Sequence, residues 1–467
     1  MSGPMALEPG GAEQDTLALR LADARTPAPR AADHHTLALV RPGHGARHAA
    51  VDRLAAELAD RIAPAVHPYE VAALLESEGL TGEVIADQYG HRDLFSLATA
   101  LYERVPRAFP QPPRPADPWR PDHVRCALRG ALFALPGLGY ALAGRLLPHG
   151  GTVTALVVAG LVSWAWNQAL GHRAYLRLAT GRREAGRTLL KGAPLGAVAA
   201  TAAGAPLAGS GAAAAVAVQS GYLAAAGVLL VLGRERLLLA ALAPVVAGAA
   251  VLPWWEPGDL LRAGLPSLSL CGAVAVAGWT LRGTLAAAPV AGAVRPRASR
   301  SLPYGLFGLA AGVLVFLAGR EQPWAVVVLT VSMGPAEWLL YRYRGLSVAA
   351  LRATATPAGF RLRSAAVLAG CLLAYAGPLV PAALLVDADP VATALLAVVL
   401  WTALLLQAFG VAWPPAALCL AAAAGAGAVV VYGLPPGTAA LPLCCGIAAL
   451  CLTGCVLRLL GRPAAHA

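Results

Sequence analysis

A chain of 467 residues that is 58% hydrophobic and only 13% charged, with a mean hydropathy of +0.62, is too apolar for an ordinary soluble protein. Its charge is divided: residues 1–125 hold 17 acids against 13 bases and the remainder 8 against 23, so the formal net charge of +11 is a membrane-loop signal rather than a nucleic-acid-binding signal. The eight cysteines lie in or beside apolar runs without a CxxC pair, read as small buried apolar residues, and are assigned no disulfide.

Residues 1–50 are rich in Ala, Pro, Arg and Asp and contain no apolar stretch of signal-peptide type, which predicts a poorly ordered, cytoplasmic N-terminus. Asp33-His34-His35, with His44 and His48, are metal-ligating residue types, but their spacing suits no single helix face and Pro42 and Gly43 interrupt them. No metal site and no cofactor are predicted.

Residues 51–107 turn helical in period. Leu54, Leu58 and Ile62 recur at four, Val71, Leu74 and Leu75 share a face, and Leu94, Leu97, Leu101 and Val105 share another. A small cytoplasmic domain of three or four short helices is expected, with Pro64 and Pro68 separating the first two and Thr81 as an N-cap. A helix-turn-helix with His91–Glu103 as recognition helix would need a basic face. Only Arg92 and Arg104 stand there against Asp93 and Glu103, so docking of a cytoplasmic protein partner is preferred to nucleic-acid binding. Residues 108–125 read as a Pro-rich linker.

Twelve runs of roughly 20 residues follow, each long enough to span a bilayer. They lie near 127–146, 151–171, 189–208, 211–232, 237–255, 264–281, 304–319, 323–341, 364–385, 391–410, 415–433 and 438–457. With the N-terminus inside, nineteen bases fall in inside loops and tail and only Arg145, Arg262 and Arg320 outside, which favours twelve spans with both termini cytoplasmic in a bacterial cell membrane. The uncharged connection around Trp413 and Pro414 escapes this test.

The stretch Met333–Arg344 places Glu337, the only acid assigned to a span, before a Trp/Tyr cluster and arginines. It is echoed at Trp164–Arg173: with Gln168 set against Glu337, Ser163 falls on Ser332 and Arg173 on Arg342. The echo suggests a parallel repeat of six helices (126–282) and six helices (303–460), joined by a cytoplasmic linker (283–302) and followed by a tail (461–467). Glu337, Asn167, Gln168, Arg342 and Arg173 are the candidate substrate or coupling residues. The competing reading has Glu337 reach the interface and pair with an arginine there. Asp387-Ala388-Asp389-Pro390 resembles a metal-binding DxD element, but Asp389 before Pro390 reads better as an N-cap.

Trp164–Arg177, Glu337–Arg344, His67–Glu76 and Tyr89–Phe95 resemble segments of an uncharacterised family of actinobacterial multi-pass integral membrane proteins, which implies no activity. In helix count and halves alone the chain is also similar to multidrug and polysaccharide-lipid flippases. The expected architecture is an all-α polytopic membrane protein with about 12 transmembrane helices. The expected function is secondary transport or flipping of a lipid-linked or amphiphilic substrate. The alternative is a non-transporting scaffold or sensor acting through the N-terminal domain. No nucleophile, base and metal ligands converge, so an enzyme is not predicted.

Overall fold

The structure, a computed structural model, describes residues 44–108, 120–147, 150–208, 212–290 and 296–466. The Asp33–His35 cluster, most of the N-terminal segment 1–50 and the Pro-rich stretch 109–119 lie outside the described residues. The described residues fall into two compact units, divided between residues 117 and 118.

The first unit holds α1 (His44–Glu57), α2 (Ala59–Ile62), α3 (Pro68–Ser77), α4 (Gly82–Val84) and α5 (Leu94–Arg104), with a π turn at Ile85–Tyr89. Its core gathers Leu58, Ile62, Val71, Leu75, Leu97 and Leu101, positions that share the helical faces read from sequence. Helix α1 begins at His44, inside the segment expected to lack order. Thr81 occupies an N-cap position but its side chain makes no capping bond, whereas Asp93 and Ser96 form a full capping box on α5. Arg92 pairs with Asp93 and Arg104 with Asp52, so the two bases of the supposed recognition helix are both engaged. Among the described residues no group of three or more His, Cys, Asp or Glu could hold a metal.

The second unit is all α-helical. Its helices are α6 (His123–Ala134), α7 (Gly137–Ala143), α8 (Gly151–Leu178), α9 (Arg182–Gly204), α10 (Ala213–Val231), α11 (Glu235–Ala250) and α12 (Asp259–Leu285). There follow α13 (Leu302–Glu321), α14 (Pro323–Val331), α15 (Met333–Arg352), α16 (Pro357–Leu385), α17 (Pro390–Ala408), α18 (Trp413–Tyr432) and α19 (Ala440–Leu460). Among the described residues nine stretches are long and apolar enough to cross a membrane, or ten if the bent pair α14–α15 counts as one. This is a multi-pass membrane protein. Two expected spans fail that test for visible reasons. Helix α9 opens on Arg182, Arg183, Glu184, Arg187 and Lys191, and the 16 residues of α11 extend about 24 Å, short of a hydrocarbon core of about 30 Å.

Local chemistry sets the breaks. Pro335 lacks an amide hydrogen and its ring crowds the carbonyl four residues back, that of Val331, where α14 ends; the axis bends there by 42°. Asp389 accepts hydrogen bonds from the amides of Val391 (2.8 Å) and Ala392 (3.1 Å), so the DxD-like element is a helix cap. Gly410, at φ 79°, makes the left-handed turn that parts α17 from α18 across the uncharged connection.

Buried apolar side chains gather mainly in two clusters, one drawn from residues 132–281 and the other from 307–460. In the first set α8 packs on α9 and α10, α11 on α12, and α6–α7 on α11. In the second, α15 packs on α16, α18 on α19, α17 on α19, and α13 on α18. The sets meet where α6 crosses α14–α15 and where α13 crosses α8.

Candidate functional site

The first crossing carries the buried charges. Asp122 caps α6 by accepting from the Arg125 amide at 3.0 Å, and Arg125 and Arg129, four residues apart, then share one helix face. Gly233, at φ 66°, supplies the left-handed turn after α10, and Glu235 becomes the first residue of α11, where the positive end of the helix dipole suits a carboxylate. The Arg129 guanidinium lies between two acids. It donates to Glu235 Oε1 from Nε (2.9 Å) and Nη2 (2.8 Å), and from Nη1 to Glu337 Oε1. Arg125 Nε donates to the same Glu235 oxygen at 3.0 Å.

Two bases thus balance two acids, and the side chains of Glu235 and Glu337 are 6% and 4% exposed. Burying either carboxylate alone in an apolar bundle would cost several kcal/mol, roughly, and the fork geometry of arginine offsets this by satisfying both at once. Close backbone approach makes the geometry reachable: a Cβ on Gly130 would fall 3.0 Å from the Gly334 backbone. The Trp338 indole donates to His123 Nδ1 at 3.0 Å, a second tie between α6 and α15.

Asn167 and Gln168 are buried on α8 and, with Arg129, Phe133, Gly171 and Tyr175, line a cavity of about 20 Å³, room for one water. Asn167 donates to the Leu223 carbonyl at 3.0 Å, tying α8 to α10. Arg129 therefore both pairs with Glu337 and lines the Asn167–Gln168 cavity. Arg342 and Arg173 lie elsewhere. Arg342 is exposed, with its guanidinium carbon 5.6 Å from the Trp338 ring centroid. Arg173 lines a separate, wider cavity of about 650 Å³ between α8, α9 and residues 298–302.

Two corrections follow. Glu337 is not the only acid buried among the spans: Glu235, flanked by Arg234 and Arg236 and assigned to a loop by that pattern, is 5% exposed beneath Arg129. Arg262, counted as an external loop base, is also buried and lies within α12, donating to the carbonyls of Pro257 (2.8 Å) and Leu142 (3.1 Å). The residue that sequence reasoning missed is Arg129. Its available signal was an arginine one turn inside an apolar run, four residues after another. No protein-family model, curated protein or solved structure matches this chain.

Proposed function

We propose that the chain is a secondary transporter or flippase of the bacterial cell membrane, built from twelve spans in two six-helix halves with both ends cytoplasmic, and acting on a lipid-linked or amphiphilic substrate. The observation that carries this reading is the Arg129 bridge from Glu235 to Glu337, because its second link joins the two sets of helices. A buried ion pair adds little stability over an apolar contact, so its use at a crossing between the two sets fits a contact that must be broken and remade. In this reading the network closes a passage, the Asn167–Gln168 cavity is its remnant, and Glu337 is the carboxylate whose charge couples opening to an ion or proton.

Packing supports the six-plus-six arrangement. Helix α6 meets α15 at Gly130 and Gly334, and α13 meets α8 where Gly305 and Gly308 approach Ala165. The register that sets Gln168 against Glu337 also sets Ala165 against Gly334, so the α8 and α15 sides of the two crossings fall at corresponding positions, although Gly130 and Gly305–Gly308 do not share that register. The second reading, a scaffold or sensor working through residues 44–108, is favoured by the separate core of that unit.

The test is a dithionite-quenching assay of fluorescent-lipid translocation in proteoliposomes. Transport predicts activity in the wild type and in a chain lacking residues 1–107, and its loss in Glu337→Gln. No translocation above protein-free liposomes would favour the scaffold.

A further inference from the structure

The wide cavity at α8 and α9 has a chemistry of its own. Arg187 and Lys191 stand four residues apart on α9, and Arg173 and Arg177 four apart on α8, so two helices turn basic faces into one space. Among the described residues Glu184 is the only acid in its lining, and it is already engaged, 2.8 Å from Arg187 and 3.6 Å from Arg177. No carboxylate among the described residues lies within ion-pair distance of Arg173 or Lys191. Apart from the Thr188 and Ser301 hydroxyls, which bond to the Glu184 carbonyl and to His172, the rest of the described wall is apolar. Trp166 has its indole N–H bonded to the Gly192 carbonyl at 2.8 Å, which leaves its ring as an apolar surface beside Leu195. A volume of about 650 Å³ suits a headgroup and the start of a chain.

Arg173 and Lys191, which no described carboxylate meets, call for an anionic ligand, and guanidinium groups bind phosphate oxygens in a paired geometry. The apolar wall calls for a hydrocarbon attached to that anion, and such basic pockets between membrane helices suit lipid headgroups. We infer that this cavity binds the phosphorylated headgroup of an anionic lipid, with the lipid chain against Trp166 and Leu195. The inference deepens the amphiphile reading above without depending on transport, since the site can hold a lipid whether or not the chain moves one.

The test is native mass spectrometry of the full-length protein in detergent, titrated with dioctanoyl phosphatidylglycerol, dioctanoyl phosphatidylcholine or inorganic phosphate. Phosphatidylglycerol should bind at least about tenfold more tightly than phosphatidylcholine. Arg173→Gln with Lys191→Gln should remove that preference, whereas Arg361→Gln with Arg363→Gln, two exposed bases outside the cavity, should keep it. Lys191→Glu, a single change at an exposed position, should weaken phosphatidylglycerol binding without shifting the melting temperature. Equal loss in both double variants would mean diffuse surface charge and overturn the site. Inorganic phosphate displacing the lipid at equal concentration would overturn the role of the apolar wall. Because binding is read without translocation, an inactive but lipid-binding protein would sink the transport reading alone.

Discussion

Removing the Arg129 guanidinium would leave Glu337 buried without its cation, while Glu235 would keep Arg125. Arg129→Gln should therefore lower stability by about 3–5 kcal/mol, the usual cost of an uncompensated buried charge, in thermal unfolding of the detergent-solubilised protein. Arg129→Lys, which keeps the charge but cannot reach both carboxylates through one planar fork, should fall between. In the N-terminal unit, burial, together with Arg104 and His48, holds the His91 imidazole below its usual value of 6.5, against an opposing pull from Asp93. The folded unit then binds fewer protons than the unfolded chain, so its stability is complete above about pH 6.5 and declines as pH falls below it. Amide protection of residues 44–105, corrected for intrinsic exchange, should drop on acidification through that value, and His91→Gln should flatten the dependence. Glu337 and Gln168 stood out in the sequence because polar groups in apolar runs are rare. Arg129 did not, because an arginine near the start of a span reads as one reaching for the headgroups, and Glu235 was hidden by its arginine neighbours. Both are defined by contacts more than a hundred residues away, which no local pattern encodes.

Where helices cross, glycine decides the distance. A side chain at Gly334 would meet the Cys126 carbonyl at 3.0 Å, so Gly334→Leu should force α6 and α15 apart and cost about 1–3 kcal/mol in the same unfolding assay. It should also weaken the Arg129–Glu337 link next to it. Among the described residues each of the twelve apolar runs falls mainly on helix, because hydropathy is a local property, but helix ends were less legible: the run to 255 outlasts its helix, which ends at Ala250. Helix α8 runs to Leu178, beyond the expected limit of 171, since the backbone continues helical after arginines end the apolar window. The 42° bend before Pro335 was readable in kind, from the missing amide hydrogen, though not in angle. Capping was legible at Asp389, where proline follows, and missed at Asp93, where the reciprocal bond from Ser96 decides.

For the whole molecule, the arginine asymmetry predicts sidedness. Reporters inserted at Gly181, Arg300 and Thr354 should lie in the cytoplasm and those at Glu256 and Asp387 outside; external labelling at Arg300 would contradict the twelve-span topology. The two sets of helices, each with its own buried cluster, touch through α6 with α14–α15 and through α13 with α8, and one of these contacts is charged. Relief of that charge should loosen one crossing and leave the other. The most direct measurement is hydrogen–deuterium exchange of wild type and Glu337→Gln in lipid nanodiscs. Exchange is predicted to rise together in peptides from residues 123–134 and 333–352, with residues 302–321 unchanged, as water enters between the two sets. A rise confined to 333–352, or no change at all, would contradict a gate held shut by Arg129 and Glu337.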